Sequence, residues 1–585
     1  MKKITFLLFV LAATLSGCLE DSKTSSSSAA DQEFQKLSEA FLEGYFAWRP
    51  RYAVSLGLHE YDGKITDVGM ESIHEEIDRI RKYDQLLSVL DASSLSPDRY
   101  TDYRILRYAI GKEIFNFEEM DYYAKNPMIY AFGLDVGIYI NRNFAPLEDR
   151  LRSIISIEEQ ASTFFAHAKM NLEDSLALPY IQTAIQIANG LADFFEGELI
   201  LALKDVRNDS LMTAFEAANN NAIHELRDFA AFLEEEKLQK AHNNYALGKE
   251  KYQKMLLYGE NISLPAKAIL QIGLEELEKE QKVFAAMAEI IDPDKTPVEV
   301  YRDLQKEHPT EENLIAEVKE NLEEIRQFLL DNNIVTIPSE ERAQVKETPK
   351  YARSMGMASM NPPGAFEKKA TEAYYYITPV ELTWTEKQKE EWLALFEYYT
   401  TDVISIHEVY PGHYVQFLHL NASSASDIQK IFGSYAFVEG WAHYTEKMMI
   451  DEGYGDTGDP IKAAKYRMAQ SGEALVRLCR LCVSVKMHCQ GMSVDEATRF
   501  FMDNWYQGEQ LSRPEAIRGT YDPGYLYYTL GKLQMLKLRE DYKQQEGDDY
   551  SLQKFHNLVL SYGMPPFQML REQILDNREI WADML

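Results

Sequence analysis

Residues 407–416 read HEVYPGHYVQ, and the spacing of the two histidines in this run decides how the rest of the chain is read. A helix that grips zinc with two histidines usually places them four residues apart, one turn apart on one face, as in HExxH. Here the position four after His407 is Pro411, and the second histidine, His413, comes at six. Six residues of regular helix turn through about 600°, which sends His413 to the wrong face. Pro411, however, has no N–H to donate to the carbonyl of His407, and Gly412 tolerates unusual backbone angles. If two residues loop out there, His413 regains the register of a residue at four. The spacing predicts a helix that ends near His407, a break, and a second histidine brought back to the first.

Upstream, TWTEKQKEEWLALFEYYTTDVISIHE (383–408) supplies that helix. Thr385 with Gln388 fits a capping box, and Trp392, Leu395, Phe396, Tyr399 and Val403 carry an apolar stripe towards His407. Downstream, FGSYAFVEGWAHYTEKMM (432–449) reads as a second helix bearing Glu439. Glu446 falls on the same face seven residues later, where an acid can support a ligand from behind. His443, at four from Glu439, shares that face and is a candidate for a pocket or surface role.

Beyond these segments helical periodicity dominates. Residues 74–90, 214–236 and 311–332 space apolar residues at three and four with charges between. Strand signals are few: the best are IVTIPSEERAQVKETP (334–349) and EAYYYITPV (372–380), with NPPG (361–364) as a turn between them. EALVRLCRLCVSVKMHCQG (473–491) reads as a buried helix. Cys479, Cys482 and Cys489 are then small apolar residues on its face, since three cysteines make no disulfide framework.

The N-terminus has its own logic. MKK, a short apolar core and LSG precede Cys18. A basic start and an apolar stretch too short to span a bilayer make a secretory signal over 1–17. LSGC resembles the lipobox of bacterial lipoproteins, which implies cleavage before Cys18, lipid on its thiol and a membrane anchor. Leu19 in place of Asp points to the outer membrane, facing the periplasm. Residues 18–33, rich in serine, read as a flexible tether. Removing 1–17 takes Lys2 and Lys3 and no acid, leaving 59 basic against 93 acidic side chains and a formal charge of −34. Such a polyanion repels phosphate backbones, so nucleic acid is excluded as a partner.

Together these residues resemble the bacterial family called domain of unknown function 885 (DUF885), a zincin-like group of the gluzincin kind. Its hallmark is HExxPGHxxQ followed by EGWAxYxE. The chain carries His407, Glu408, Pro411, Gly412, His413 and Gln416, then Glu439, Gly440, Trp441, Ala442, Tyr444 and Glu446. WRPRYAVSLGLHEYDGKITD (48–67), IPSEERAQVKETP (337–349) and YYYITP (374–379) match further stretches, so the resemblance spans nearly all of 34–585. One pattern departs: the family's PGQ, a short gap and YxxG become YDPGYLYYTLGKL (521–533), with Tyr525 in place of Gln.

The resemblance implies a mainly α, zincin-like fold with a small sheet beside a cleft, here divided into a helical lobe over 34–335 and a catalytic lobe over 336–585. It implies Zn²⁺ held by His407, His413 and Glu439, Glu408 as general base, and Glu446 behind the ligands. His488, Tyr521 and Tyr528 are candidates to steady an oxyanion, Arg518 to pair with a substrate carboxylate, and Tyr525 and Tyr376 to touch substrate. Residues 373–378 are expected to border the cleft and offer free backbone groups to an extended peptide. The function implied is a zinc metallopeptidase acting on peptides or peptide-like substrates outside the inner membrane. The rival is a non-catalytic lipoprotein that keeps the fold as a binding module. The intact Glu408 favours the enzyme, because a binder has little use for a base.

Overall fold

Apolar residues three and four apart set most of this chain into helices. The computed structural model describes residues 29–350, 353 and 356–585, and its helix Leu314–Asp331 shows the rule. Leu314, Val318, Leu322, Ile325 and Leu329 form the buried stripe, with glutamates between them turned to water. The periodic stretches near 74–90 and 214–236 likewise fall in helices Met70–Val89 and Asp209–Phe232.

In the N-terminal half, Ala29–Trp48, Met70–Val89 and Pro97–Phe115 share one core. Leu147–Glu158, Ala161–Asn171, Leu178–Glu196 and Asp209–Phe232 build a second. The largest core does not divide at residue 335: Leu256, Leu322 and Ile325 belong to the same cluster as Phe396, Ile406 and Trp441. The leader 1–17 and Cys18 lie outside the described residues. The expected tether, 18–33, overlaps a helix that already begins at Ala29. Asp31 docks this first turn by accepting the backbone N–H of Ser96 at 2.9 Å, and Phe34 and Phe41 are buried beyond it. No helix among the described residues is long and apolar enough to cross a membrane.

Among the described residues three short strands make one sheet: β1 (Gln344–Glu347), β2 (Ala358–Asn361) and β3 (Tyr374–Ile377), in the order β1-β3-β2. β1 is parallel and β2 antiparallel to β3. β3 is buried along its whole length, as its uninterrupted YYYI requires. β2 carries ASMN, with no β-branched or aromatic residue, and its sequence gives no strand signal. This pairing corrects the expected edge. Residues 374–377 are central, so their backbone groups are taken on both sides, and Tyr376 is buried. β2, like β1, has a free side.

The helix expected to run unbroken from Thr385 to His407 is two helices. Glu386–Leu393 opens on the Thr385–Gln388 capping box. The chain then turns at Glu397, whose carboxylate accepts the N–H groups of Tyr399 and Thr400 at 2.9 and 2.6 Å and caps a new helix.

Candidate metal centre

Six helices surround the centre: α1 (Tyr398–Glu408), α2 (His413–Ala422), α3 (Tyr435–Asp451), α4 (Pro460–Gln490), α5 (Glu509–Tyr521) and α6 (Tyr527–Glu546). α1 stops at Glu408, residues 409–412 loop out, and α2 restarts at His413. The N–H of Gly412 donates to the carbonyl of Ile406 at 2.9 Å. A Cβ at Gly412 would fall on the carbonyl oxygen of His407, so only glycine passes here. The indole of Trp441, on α3, donates to the carbonyl of Pro411 at 2.9 Å and pins the loop from below. The detour brings the rings of His407 and His413 to 5.0 Å, nearly perpendicular.

Glu439 completes the set. Its Oε2 lies 3.5 Å from Nε2 of His407 and 3.5 Å from Nε2 of His413. One ligand atom from each residue falls within 4.8 Å of the others. Tetrahedral zinc with bonds of about 2.0–2.1 Å separates its ligand atoms by roughly 3.4 Å, and the two separations from Oε2 match that. The Oε2 of Glu439 is buried and has no hydrogen-bond partner among the described residues. Burial raises the Glu439 carboxyl, but His413 and His407 more than offset it and hold the group well below the usual range.

Behind the trio, Glu446 accepts from Nδ1 of His407 at 2.7 Å and from Nδ1 of His443 at 3.0 Å. Arg477, from α4, reaches the same carboxylate at 3.3 Å. The bond to Nδ1 leaves Nε2 of His407 as the atom that faces Glu439 and His413. Glu439 and Glu446 are two turns apart on α3, which is why one helix supplies both. His443 has the Glu446 carboxylate as its partner and lies outside the ligand set.

The face opposite is set by glycines. α3 and α6 cross at Gly440 and Gly531, where a Cβ on either would strike the other helix's backbone. Three residues before Gly531, Tyr528 stacks near-parallel to His407 with ring centres 6.4 Å apart. Arg480 and Arg518 stand over the Tyr528 ring at 5.2 and 5.7 Å. Glu408 is partly buried; desolvation raises its carboxyl, with His413 and His407 pulling the other way and the nearby backbone N–H of Met360 also favouring the anion.

His407, Glu408, His413, Glu439, Glu446 and Tyr528 thus converge, with Arg518 at their margin. Arg518 is already paired with Asp522 at 2.9 Å and with the hydroxyl of Tyr435 at 3.2 Å. The other candidates go elsewhere. His488 is buried with both ring nitrogens on backbone, the carbonyl of Gly519 at 2.8 Å and the N–H of Leu247 at 3.4 Å, and burial depresses its pKa to about 4. It ties α4 to α5 and to the 240s loop. Tyr525 is fully buried in the core beneath Arg518. Tyr521 packs edge-on against Tyr180, with ring centres 6.1 Å apart. Cys479 and Cys482 are buried, and burial raises both thiols. Sequence reasoning missed Met360, Arg477 and Arg480, none of which stands in a motif of its own.

The family of bacterial proteins of unknown function DUF885 matches residues 50–574, and the chain belongs to it. A solved structure of a "putative lipoprotein of unknown function" from Shewanella oneidensis is 25% identical. It aligns over 93% of this chain and 100% of its own with a TM-score of 0.77. A second, a "putative lipoprotein" from Colwellia psychrerythraea, is 19% identical and aligns over 94% and 99% with a TM-score of 0.75, a likeness of fold. No curated protein matches the chain.

Proposed function

We propose that this DUF885 member is a zinc-dependent hydrolase that cleaves peptide bonds outside the inner membrane, held there by lipid on Cys18. The observation that carries the reading is the trio itself: two imidazole nitrogens at 3.5 Å from one carboxylate oxygen, with Glu408 next in the chain to the first. A zinc ion in such a set supplies a Lewis acid that polarises a carbonyl and lowers the pKa of water to about 7. The protein does the rest. Glu408, lifted by burial, takes the proton of the attacking water and returns it to the leaving amine. Tyr528, between two arginines, offers its hydroxyl to the developing oxyanion.

The free side of β2 supports an extended substrate. The carbonyl of Met357 accepts the N–H of Thr378 at 2.8 Å, so in antiparallel alternation Met357, Ser359 and Asn361 pair with β3 while Ala358 and Met360 turn away from it. Met360 is the residue whose N–H lies on the side of Glu408. A peptide added along this side passes the base and the trio.

The test is Glu408→Gln. The variant is expected to fold and bind zinc like wild type, while hydrolysis of a mixed peptide library, read by mass spectrometry, falls about 10²–10⁴-fold. Equal cleavage by the two proteins sinks the mechanism. A wild-type protein that holds zinc and cleaves nothing favours the binding module instead.

A further inference from the structure

We infer that a chamber at the N-terminal ends of β2 and α1 is a specificity pocket for an aromatic or bulky apolar side chain, about three residues from the bond held at the metal centre. The inference deepens the peptidase reading and rests on it. The chamber holds about 680 Å³, within the range of ligand sites. Three of the chain's six tryptophans, Trp384, Trp392 and Trp505, line it together with Tyr301. Trp384 and Trp392 meet edge to face with ring centres 5.4 Å apart, and the indole N–H of Trp392 is taken by the carbonyl of Thr378 at 2.9 Å. The indole nitrogen of Trp505 is buried and has no partner among the described residues.

The lining's charges are largely neutralised. Glu515 pairs with Arg480 at 2.7 Å and Glu381 with Arg353 at 2.9 Å, while Glu473 is bound to Arg477. A wall of rings with paired charges and one spare N–H suits an aromatic side chain, which brings apolar area and, in tyrosine, an acceptor for that N–H.

Two tracks connect the chamber to the chemistry. Met357 lines it, and β2, which starts at the next residue, packs on α1 and brings Met360 alongside Glu408: about 10 Å of strand. Thr400 lines it, and His407, seven residues on, is a ligand: about 10 Å of helix. An extended peptide covers that distance in about three residues. The two sites also share walls. Arg477 joins Glu473 of the chamber to Glu446 behind His407, and Arg480 joins Glu515 of the chamber to the Tyr528 ring.

The experiment digests a peptide library with the zinc-loaded protein and maps each broken bond. Expected is an enrichment of Phe, Tyr, Trp or Leu about three residues from the bond on one side, of about tenfold or more, the value of burying one such side chain. Trp505→Ala, which opens the chamber, and Leu511→Trp, which fills it, should each abolish that enrichment and leave preferences beside the bond unchanged. Cleavage without a preference at that distance, or a preference that survives both variants, overturns the pocket. If nothing is cleaved, the peptidase reading fails by itself, and calorimetry judges the pocket. Wild type should bind a phenylalanine-containing hexapeptide about tenfold tighter than its alanine counterpart, and Leu511→Trp should erase the difference. Equal binding of the two peptides by wild type overturns it.

Discussion

Glu446 stands behind the trio and accepts from Nδ1 of His407. Burial alone would raise its carboxyl, but Arg477, His443 and His407 together hold it well below the usual range, so it stays an anion. An anion on Nδ1 fixes the tautomer and the tilt of His407. Glu446→Gln keeps the shape and removes the charge. Zinc affinity is expected to fall about 10–100-fold with little change in fold, read by competition with a chromogenic chelator. Affinity equal to wild type would refute that role. At this scale the sequence was legible wherever residues sit on one helix in register. His407 with Glu408, and Glu439 with Glu446, could be placed by counting turns. His488 misled because its type fitted the chemistry while its partners, the backbone of Gly519 and Leu247, are distant in sequence. Arg477 and Met360 stayed hidden for the same reason: each reaches the centre only after separate segments have packed.

α1 and the residue that caps it carry two buried carboxyls besides the site residues. Burial pushes Glu397 up to about 7, with Asp402 adding to the rise, and pushes Asp402 up to about 6 despite the hydroxyls of Tyr466 and Tyr454 at 2.8 and 2.9 Å. Both folded-state values lie above the ordinary carboxylate range. The folded protein therefore holds these protons longer than the unfolded chain, and the stability they confer is full near pH 4 and lost as pH rises through 6 to 7. Glu397→Gln with Asp402→Asn keeps acceptors and removes the charges. The pair should gain stability over wild type at pH 8, by a few kcal/mol at most, and show no advantage at pH 4, measured by thermal unfolding at each pH. An advantage equal at both values would exclude the titration. The glycine crossing gives a second expectation: Gly531→Ala should cost about 3 kcal/mol or more, because its Cβ meets the Ala436 carbonyl and two backbones must part. Unfolding in urea checks it. Among elements, the helices and β3 were legible from periodicity and an apolar run. β2 was not, since four weak residues become a strand only through their partner, and the helix break at Glu397 was masked by an apolar stripe that continues across it.

The whole molecule joins a mainly helical body to an N-terminal segment whose pattern implies a lipid anchor. Without residues 1–17 the chain has a formal charge of −34 and no electrostatic reason to cling to an anionic membrane. Cys18→Ala should thus release it into the soluble fraction, and continued sedimentation with membranes would refute the anchor. The crossing of α3 and α6 also limits how this body moves. With two hydrogen atoms in place of side chains, the contact at Gly440 and Gly531 acts as the pin of a pair of scissors. Glu439 lies one residue from the pin and Tyr528 three, both on very short blades. Swinging of the long helix ends, wherever substrate or solvent pushes them, is geared down before it reaches the carboxylate and the phenol. A rotation about this pin would move the helix ends most and the gap between those two groups least.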